Sequence, residues 1–159
     1  MISIRLETPC QPEVARLLEE ADARSAGLYP EASRHGLGVD ALAASGVRFF
    51  VARLNGRAVG CGGYLPVGGN VAELNRLFVT AAARGRGAGG SILRVAEAAA
   101  TGAGVVLMQL ETGVASKEAL ALYRRAGYRE RAPFGSYNAD PLCVFMEKHL
   151  IATADNFGG

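Results

Sequence analysis

Two arginines and four glycines, Arg84-Gly85-Arg86-Gly87-Ala88-Gly89-Gly90, stand where an apolar run ends and a helical pattern begins. The run before them, Leu77-Phe78-Val79, has the aromatic and β-branched character of a strand end. Thr80 to Ala83 make a short connector, and a helix is expected from near Ser91. A glycine-rich turn feeding a helix suits an anion. The first amides of a helix have no internal partner, and the helix dipole favours negative charge there. Glycine lets a phosphate approach the backbone with no Cβ in the way. Arg84 and Arg86 add cationic donors matched to phosphate oxygens. The chemistry this stretch offers is the grip of a pyrophosphate.

Two other phosphate loops can be weighed against it. Gly85-x-Gly87-x-x-Gly90 satisfies the dinucleotide pattern G-x-G-x-x-G. That pattern needs its first glycine tight against a buried parallel strand inside a repeated βαβ layout. Here several residues separate Val79 from Gly85, and the strands upstream read as hairpin-connected. No Gly-Lys-Ser/Thr follows, so a Walker A loop is excluded.

The elements that must hold this loop are legible along the chain. Ile2, Ile4 and Leu6 alternate with polar residues, the period of a half-buried strand. Val14, Leu17, Leu18 and Ala21 recur at helical spacing over Glu13 to Ala23, and Gly27 is expected to end that helix near Tyr29-Pro30. A short helix is expected from Asp40 through Ala44. Val47 to Leu54 and Ala58 to Val67 read as strands joined by Asn55-Gly56, a strong hairpin signal. Val71 to Val79 is the strand that leads into the loop. The loop helix runs to about Thr101, where Gly102 and Gly104 follow. Val105 to Glu111 is a continuous apolar run suited to a central strand. Ser116 to Ala126 reads as a helix capped by Ser116, Tyr128 begins a strand, and Leu142 to Met146 is the last strand. Antiparallel strands followed by one strand-helix-strand unit give a mixed α/β (α+β) sheet with helices on both faces.

Composition narrows the function classes. The 159 residues are 50% hydrophobic and 20% charged, enough for one domain with a real core. Net charge is +2 and the basic residues form no stripe, which argues against nucleic acid. Met1 to Leu6 lacks the apolar core of a secretory leader, and no apolar run approaches the ~20 residues of a membrane helix. Cys10, Cys61 and Cys143 show no C-x-x-C spacing and read as reduced thiols of a cytoplasmic protein. With only His35 and His149 besides, no metal site is expected. Residues 1–150 are expected to form the domain and 151–159 a flexible tail.

Three stretches, in order, resemble the GCN5-related N-acetyltransferase (GNAT) family. They are Ala72-Glu73-Leu74-Asn75-Arg76-Leu77-Phe78-Val79, Arg84-Gly85-Arg86-Gly87-Ala88-Gly89, and Ala119-Leu120-Ala121-Leu122-Tyr123-Arg124-Arg125-Ala126-Gly127-Tyr128. The second fits the family's Gln/Arg-x-x-Gly-x-Gly/Ala loop. The third fits its A-x-x-L-Y-x-x-x-G-F/Y helix. The resemblance runs from Ile2 to Leu150. It implies a mostly antiparallel sheet of six or seven strands, with two central strands splayed apart to admit the pantetheine arm of acetyl-CoA.

The resemblance also implies roles. Leu77, Phe78 and Val79 would offer backbone to the thioester and pantetheine. Arg84, Gly85, Arg86, Gly87, Ala88, Gly89 and Gly90 would wrap the pyrophosphate. Ser116 stands where many relatives carry Asn or Gln touching CoA. Transfer to an amine requires removal of the amine proton, a donor for the oxyanion and protonation of the leaving thiolate. Tyr123 matches the family's acid. Glu73 matches a glutamate that often serves as base, and Glu111 is its rival, able equally to orient the acceptor amine. Tyr29, Arg34, His35 and Tyr137 fall in loops that flank the acceptor mouth. Direct transfer needs no cysteine nucleophile.

The expected activity is therefore acetyl transfer from acetyl-CoA to a primary amine of a small-molecule or amino-acid-like acceptor, through a ternary complex. The expected partners are that amine and, at most, a second copy in a homodimer. An acyl-CoA sensor without turnover and a lysine or N-terminal protein acetyltransferase are the alternatives on the same fold.

Overall fold

The computed structural model describes residues 1–44 and 46–150, so the expected tail lies outside the described residues. Seven strands, β1 (Ile2–Leu6), β2 (Arg48–Leu54), β3 (Arg57–Gly68), β4 (Val71–Val79), β5 (Leu107–Gly113), β6 (Arg129–Arg131) and β7 (Cys143–His149), form one sheet in the order β1-β2-β3-β4-β5-β7-β6. Every pairing is antiparallel except β4 with β5. Four helices accompany them: α1 (Pro12–Leu28), α2 (Val39–Leu42), α3 (Ala88–Gly102) and α4 (Lys117–Arg125). The mixed, mostly antiparallel sheet anticipated from the sequence is present. No helix among the described residues is long and apolar enough to cross a membrane.

Period-two burial places helices on both faces. On β2, Phe49 and Val51 pack with Val14, Leu17 and Leu18 of α1 and Leu42 of α2. Phe50 points the other way, into the cluster of Leu93, Ala96 and Ala100 from α3 and Leu120 and Tyr123 from α4. Gln11 gives α1 no side-chain cap, a loss of about 1 kcal/mol. Burying each of Val14, Leu17 and Leu18 contributes about 1.5–3 kcal/mol, so packing decides that helix.

Several boundaries differ from expectation for identifiable reasons. Helix α1 runs through Gly27 to Leu28 and stops where Pro30 holds Tyr29 extended (φ −136°, ψ 147°). Helix α3 starts at Ala88, three residues before Ser91, because Gly87 turns the chain into it at φ 78°. Ser116 makes no cap bond to α4, since its hydroxyl meets Tyr29 Oη at 2.8 Å. Two short 3-10 turns, Glu31–Ser33 and Ala81–Ala83, were not foreseen. The Asn55-Gly56 hairpin is as expected, with both residues at positive φ.

The feature that makes room for a ligand is the parting of β4 from β5. They pair only at Val71↔Leu107, Ala72↔Met108 and Glu73↔Gln109. Strand β5 then continues along β7 to Gly113↔Cys143, while β4 continues along β3. On β4 a bulge accompanies the parting. Gly63 pairs with Asn75 and Cys61 with Phe78, so Arg76 and Leu77 together oppose Gly62. Arg76 takes a left-handed backbone, φ 58°. Its side chain fixes the bulge, with Nε donating to the Leu37 carbonyl (2.7 Å) and Nη1 to Asp22 Oδ1 (2.6 Å).

At the far end of the parting, Tyr29 crosses from α1 to the start of α4. Its hydroxyl contacts Ser116 Oγ and accepts the Ala115 amide at 3.0 Å. A Cβ on Gly113 would fall on the Tyr29 ring and hydroxyl. Gly113→Ala should therefore expel Tyr29 and break both bonds. The expected loss is about 1–3 kcal/mol of unfolding free energy, read from urea midpoints, and Tyr29→Phe should lose less because the ring stays in place.

Candidate active site

The parting of β4 and β5 opens a cleft of about 530 Å³. One wall is the whole of Leu74–Val79. The other is Glu111, Thr112 and Gly113 with Ser116, Ala119, Leu122 and Tyr123 from the α4 side. Past Glu73, β4 has no partner on its β5 edge, so the backbone groups on that edge open into the cleft. Leu77, Phe78 and Val79 lie there, where the sequence placed them.

The glycine-rich turn forms the floor at one end. Arg84, Gly85, Gly87, Ala88, Gly89 and Gly90 all line the cleft, whereas Arg86 is exposed and is not part of the wall. Gly85 and Gly87 have φ of 83° and 78°, which only glycine adopts readily. Among the described residues, none of the amides from Gly85 to Gly90 donates to a backbone carbonyl; the next amide, Ser91, is the first to do so, to Gly87. These donors converge at the positive end of α3, the arrangement that holds phosphate. Arg84 stays at the rim, its Nε on the Val79 carbonyl (3.1 Å) and its guanidinium over the Phe78 ring.

Tyr123 and Glu111 both line the cleft. Tyr123 is buried in the α4 face against the Tyr128 ring, and no described side chain hydrogen-bonds its hydroxyl. Burial, and secondarily the Glu111 carboxylate, pushes this phenol well above its ordinary value, so it holds its proton. Glu111 is half-buried at the outer part of β5. Burial raises its carboxyl above the usual glutamate range, an effect only partly offset by Cys143 and His35. A more basic carboxylate and a proton-holding phenol thus share one cavity.

The remaining candidates are distributed unevenly. His35 lines the cleft and meets Tyr137 edge to face at 5.1 Å between centroids. Tyr137 is not in the wall; it stands behind His35 and donates to Glu73 Oε2 at 2.6 Å. Glu73 occupies the last rung shared by β4 and β5 and is likewise not in the wall. Its carboxylate is engaged by Tyr137 and, at 3.5 Å, by Asn75. Tyr29 and Ser116 both line the cleft while bonded to each other. Arg34, also in the wall, has a buried Nε with no hydrogen-bond partner.

Ligand atoms of His35, Glu111 and Cys143 lie within 4.8 Å of one another, a grouping the sequence spacing did not reveal. Burial, then Glu111 and Asp140, pushes the Cys143 thiol up to about 12, so it carries its proton, and it points to the Ser33 carbonyl at 3.8 Å. Arg76 is the functional position that sequence reading left without a role. A left-handed arginine carries no signal in composition or periodicity.

Residues 12–128 match the family described as Acetyltransferase (GNAT) family. The IAA acetyltransferase of Azospirillum brasilense is 43% identical over 150 residues, spanning 94% of this chain and 98% of the relative. The crystal structure of a candidate acyl-CoA N-acyltransferase from Klebsiella pneumoniae superposes with a TM-score of 0.81 at 33% identity, over 95% of this chain and 99% of that one. PaiA N-acetyltransferase from Thermoplasma acidophilum, solved with coenzyme A, shares the fold at TM-score 0.72 and 18% identity, over 94% and 99% of the two chains.

The free amides of the turn give a direct test. Gly87→Val forces a β-branched residue into a left-handed backbone, at a cost of roughly 1–2 kcal/mol, and should turn the amides away from the cleft. Coenzyme A binding measured by calorimetry should weaken about tenfold or more, that cost being worth about a factor of ten.

Proposed function

The chain belongs to the acetyltransferase (GNAT) family, and we propose that it moves the acetyl group of acetyl-CoA to the primary amine of a small-molecule or amino-acid-like acceptor. The observation that carries this reading is a convergence. Unpaired amides from Gly85 to Gly90, the open edge of β4, a protonated Tyr123 and a basic Glu111 all border one cleft.

The cleft fits the donor part by part. The turn and Arg84 would hold the diphosphate, and Leu77, Phe78 and Val79 would pair with the amide-bearing arm as a neighbouring strand would. Bound there, the thioester supplies an activated acetyl carbon and a sulfur able to leave. A C–N bond to the acceptor forms as the C–S bond breaks.

The chain's own groups handle the charge and the protons. An amide of the bulge, at Leu77 or Phe78, stabilises negative charge on the acetyl oxygen; one such donor is worth about 3–4 kcal/mol. Glu111 takes the proton from the acceptor amine. It serves better than Glu73 because it borders the cleft and burial has raised its basicity toward neutral pH. Glu73, through Tyr137, steadies the ring against which His35 packs. Tyr123 gives its proton to the departing sulfur. The acid and base both point to turnover rather than to an acyl-CoA sensor, since sensing requires neither.

Release of free thiol from acetyl-CoA across a panel of primary amines tests the proposal, and no release with any amine would overturn it. Glu111→Gln should lower kcat/KM about 10²- to 10⁴-fold. In the parent enzyme kcat/KM should fall as the pH drops through the raised pKa of Glu111, above the ordinary glutamate range; the Gln variant should lose that limb. Tyr123→Phe should lower kcat by a similar factor while acetyl-CoA affinity changes little.

A further inference from the structure

Arginines border the cleft at five places, Arg24, Arg34, Arg76, Arg84 and Arg125, and they are not equivalent. Arg24 reaches Glu118 at 4.0 Å. Arg76 is consumed by Asp22 and the Leu37 carbonyl. Arg84 is bound to the Val79 carbonyl beside the glycine turn. Arg125 is exposed on the last turn of α4.

Arg34 differs in kind. Its Nε is buried beyond the reach of solvent and has no hydrogen-bond partner. Among the described residues no carboxylate stands within 4.0 Å of its guanidinium. An atom closed to water is closed to a ligand oxygen as well, so recognition falls to the two Nη groups, which are not buried and make no hydrogen bond among the described residues. The two Nη groups at the end of an arginine form a fork that takes both oxygens of a carboxylate side by side.

The neighbours of Arg34 place its segment beside Glu111. Ser33, next to Arg34, donates to Asp140 Oδ2 at 2.6 Å, and its carbonyl receives the Cys143 thiol. His35, on the other flank, lies within 4.8 Å of both Glu111 and Cys143. Arg34 is therefore carried by the segment that closes over Glu111. The cleft here presents one unpaired cation and one carboxylate that accepts an amine proton, and the two are not joined to each other.

We infer that the acceptor is an amino carboxylate, its amine delivered to Glu111 and its carboxylate clasped by Arg34. The inference rests on the transferase reading above and narrows it from primary amines to those bearing a carboxylate. Arg34 acts as a specificity-determining residue and takes no part in proton transfer.

The test uses the full chain loaded with coenzyme A and titrated calorimetrically with matched pairs: tryptophan against tryptamine, phenylalanine against phenethylamine, and lysine against cadaverine. In the parent protein at least one amino acid should bind tenfold or more tighter than its decarboxylated partner. In Arg34→Gln that preference should fall below twofold, in Arg34→Lys it should be intermediate, and coenzyme A affinity should stay within twofold of the parent. Equal or absent binding of both members of every pair to the parent protein overturns the inference. So does a preference that survives in Arg34→Gln, or a tenfold loss of coenzyme A affinity with the preference unmoved, which would make Arg34 a phosphate ligand. A parent protein that shows the preference yet releases no thiol from acetyl-CoA upholds the carboxylate site and overturns the transferase reading.

Discussion

Strand β4 can hold only one of its two neighbours beyond Glu73, and it keeps β3. Leu77, Phe78, Val79, Glu111 and Tyr123 all lie along the separation that results. An open sheet edge is ordinarily a liability, since unpaired N–H and C=O groups invite association. Here the edge is recessed between helix-covered faces, where an extended ligand can pair with it. The bulge at Arg76 and Leu77 sets the local direction of the strand. A non-glycine residue in the left-handed region costs roughly 1–2 kcal/mol. The part-buried hydrogen bond from the Arg76 guanidinium to the Leu37 carbonyl, about 1–3 kcal/mol, offsets it, and the exposed pair with Asp22 adds about 0–1 kcal/mol.

The same burial sets both reactive groups. Tyr123 and Glu111 are removed from water by the helices and strands that flank the cleft, and desolvation is the leading cause for each. Desolvation favours the neutral form of both. For a phenol that means a proton retained for donation. For a carboxyl it means greater affinity for an arriving proton. One physical cause thus suits the phenol to the proposed acid role and the carboxyl to the proposed base role.

Much of this was readable in advance. The hairpin at Asn55-Gly56, the strand into the glycine turn, the turn itself and the helix bearing Tyr123 depend on local chemistry, and local chemistry is written in adjacent residues. The sheet's mixed character followed from the order of those elements. What the sequence did not disclose depends on distance in the chain. Ser116 reads as a helix cap until Tyr29 arrives from 87 residues away to take its hydroxyl. Glu73 reads as a free carboxylate until Tyr137, 64 residues on, donates to it. Helix α1 runs past Gly27, and the proline at position 30, which holds Tyr29 extended, ends it. The isolation of the Arg34 Nε is a property of its enclosure and leaves no trace in spacing.

The acceptor-side segment is stitched to the bulge at a single residue. Leu37 gives its amide to Asn75 Oδ1 at 3.1 Å and its carbonyl to Arg76 Nε, and Gly36 leaves the space that the guanidinium fills. The proposed acceptor segment and the bulged strand are consequently one mechanical unit. Exchanging residues 31–38 without regard to this anchor would disturb the bulge of β4 along with the segment itself. A graft that respects Gly36 and the main chain of Leu37 keeps that fastening, whatever else it exchanges.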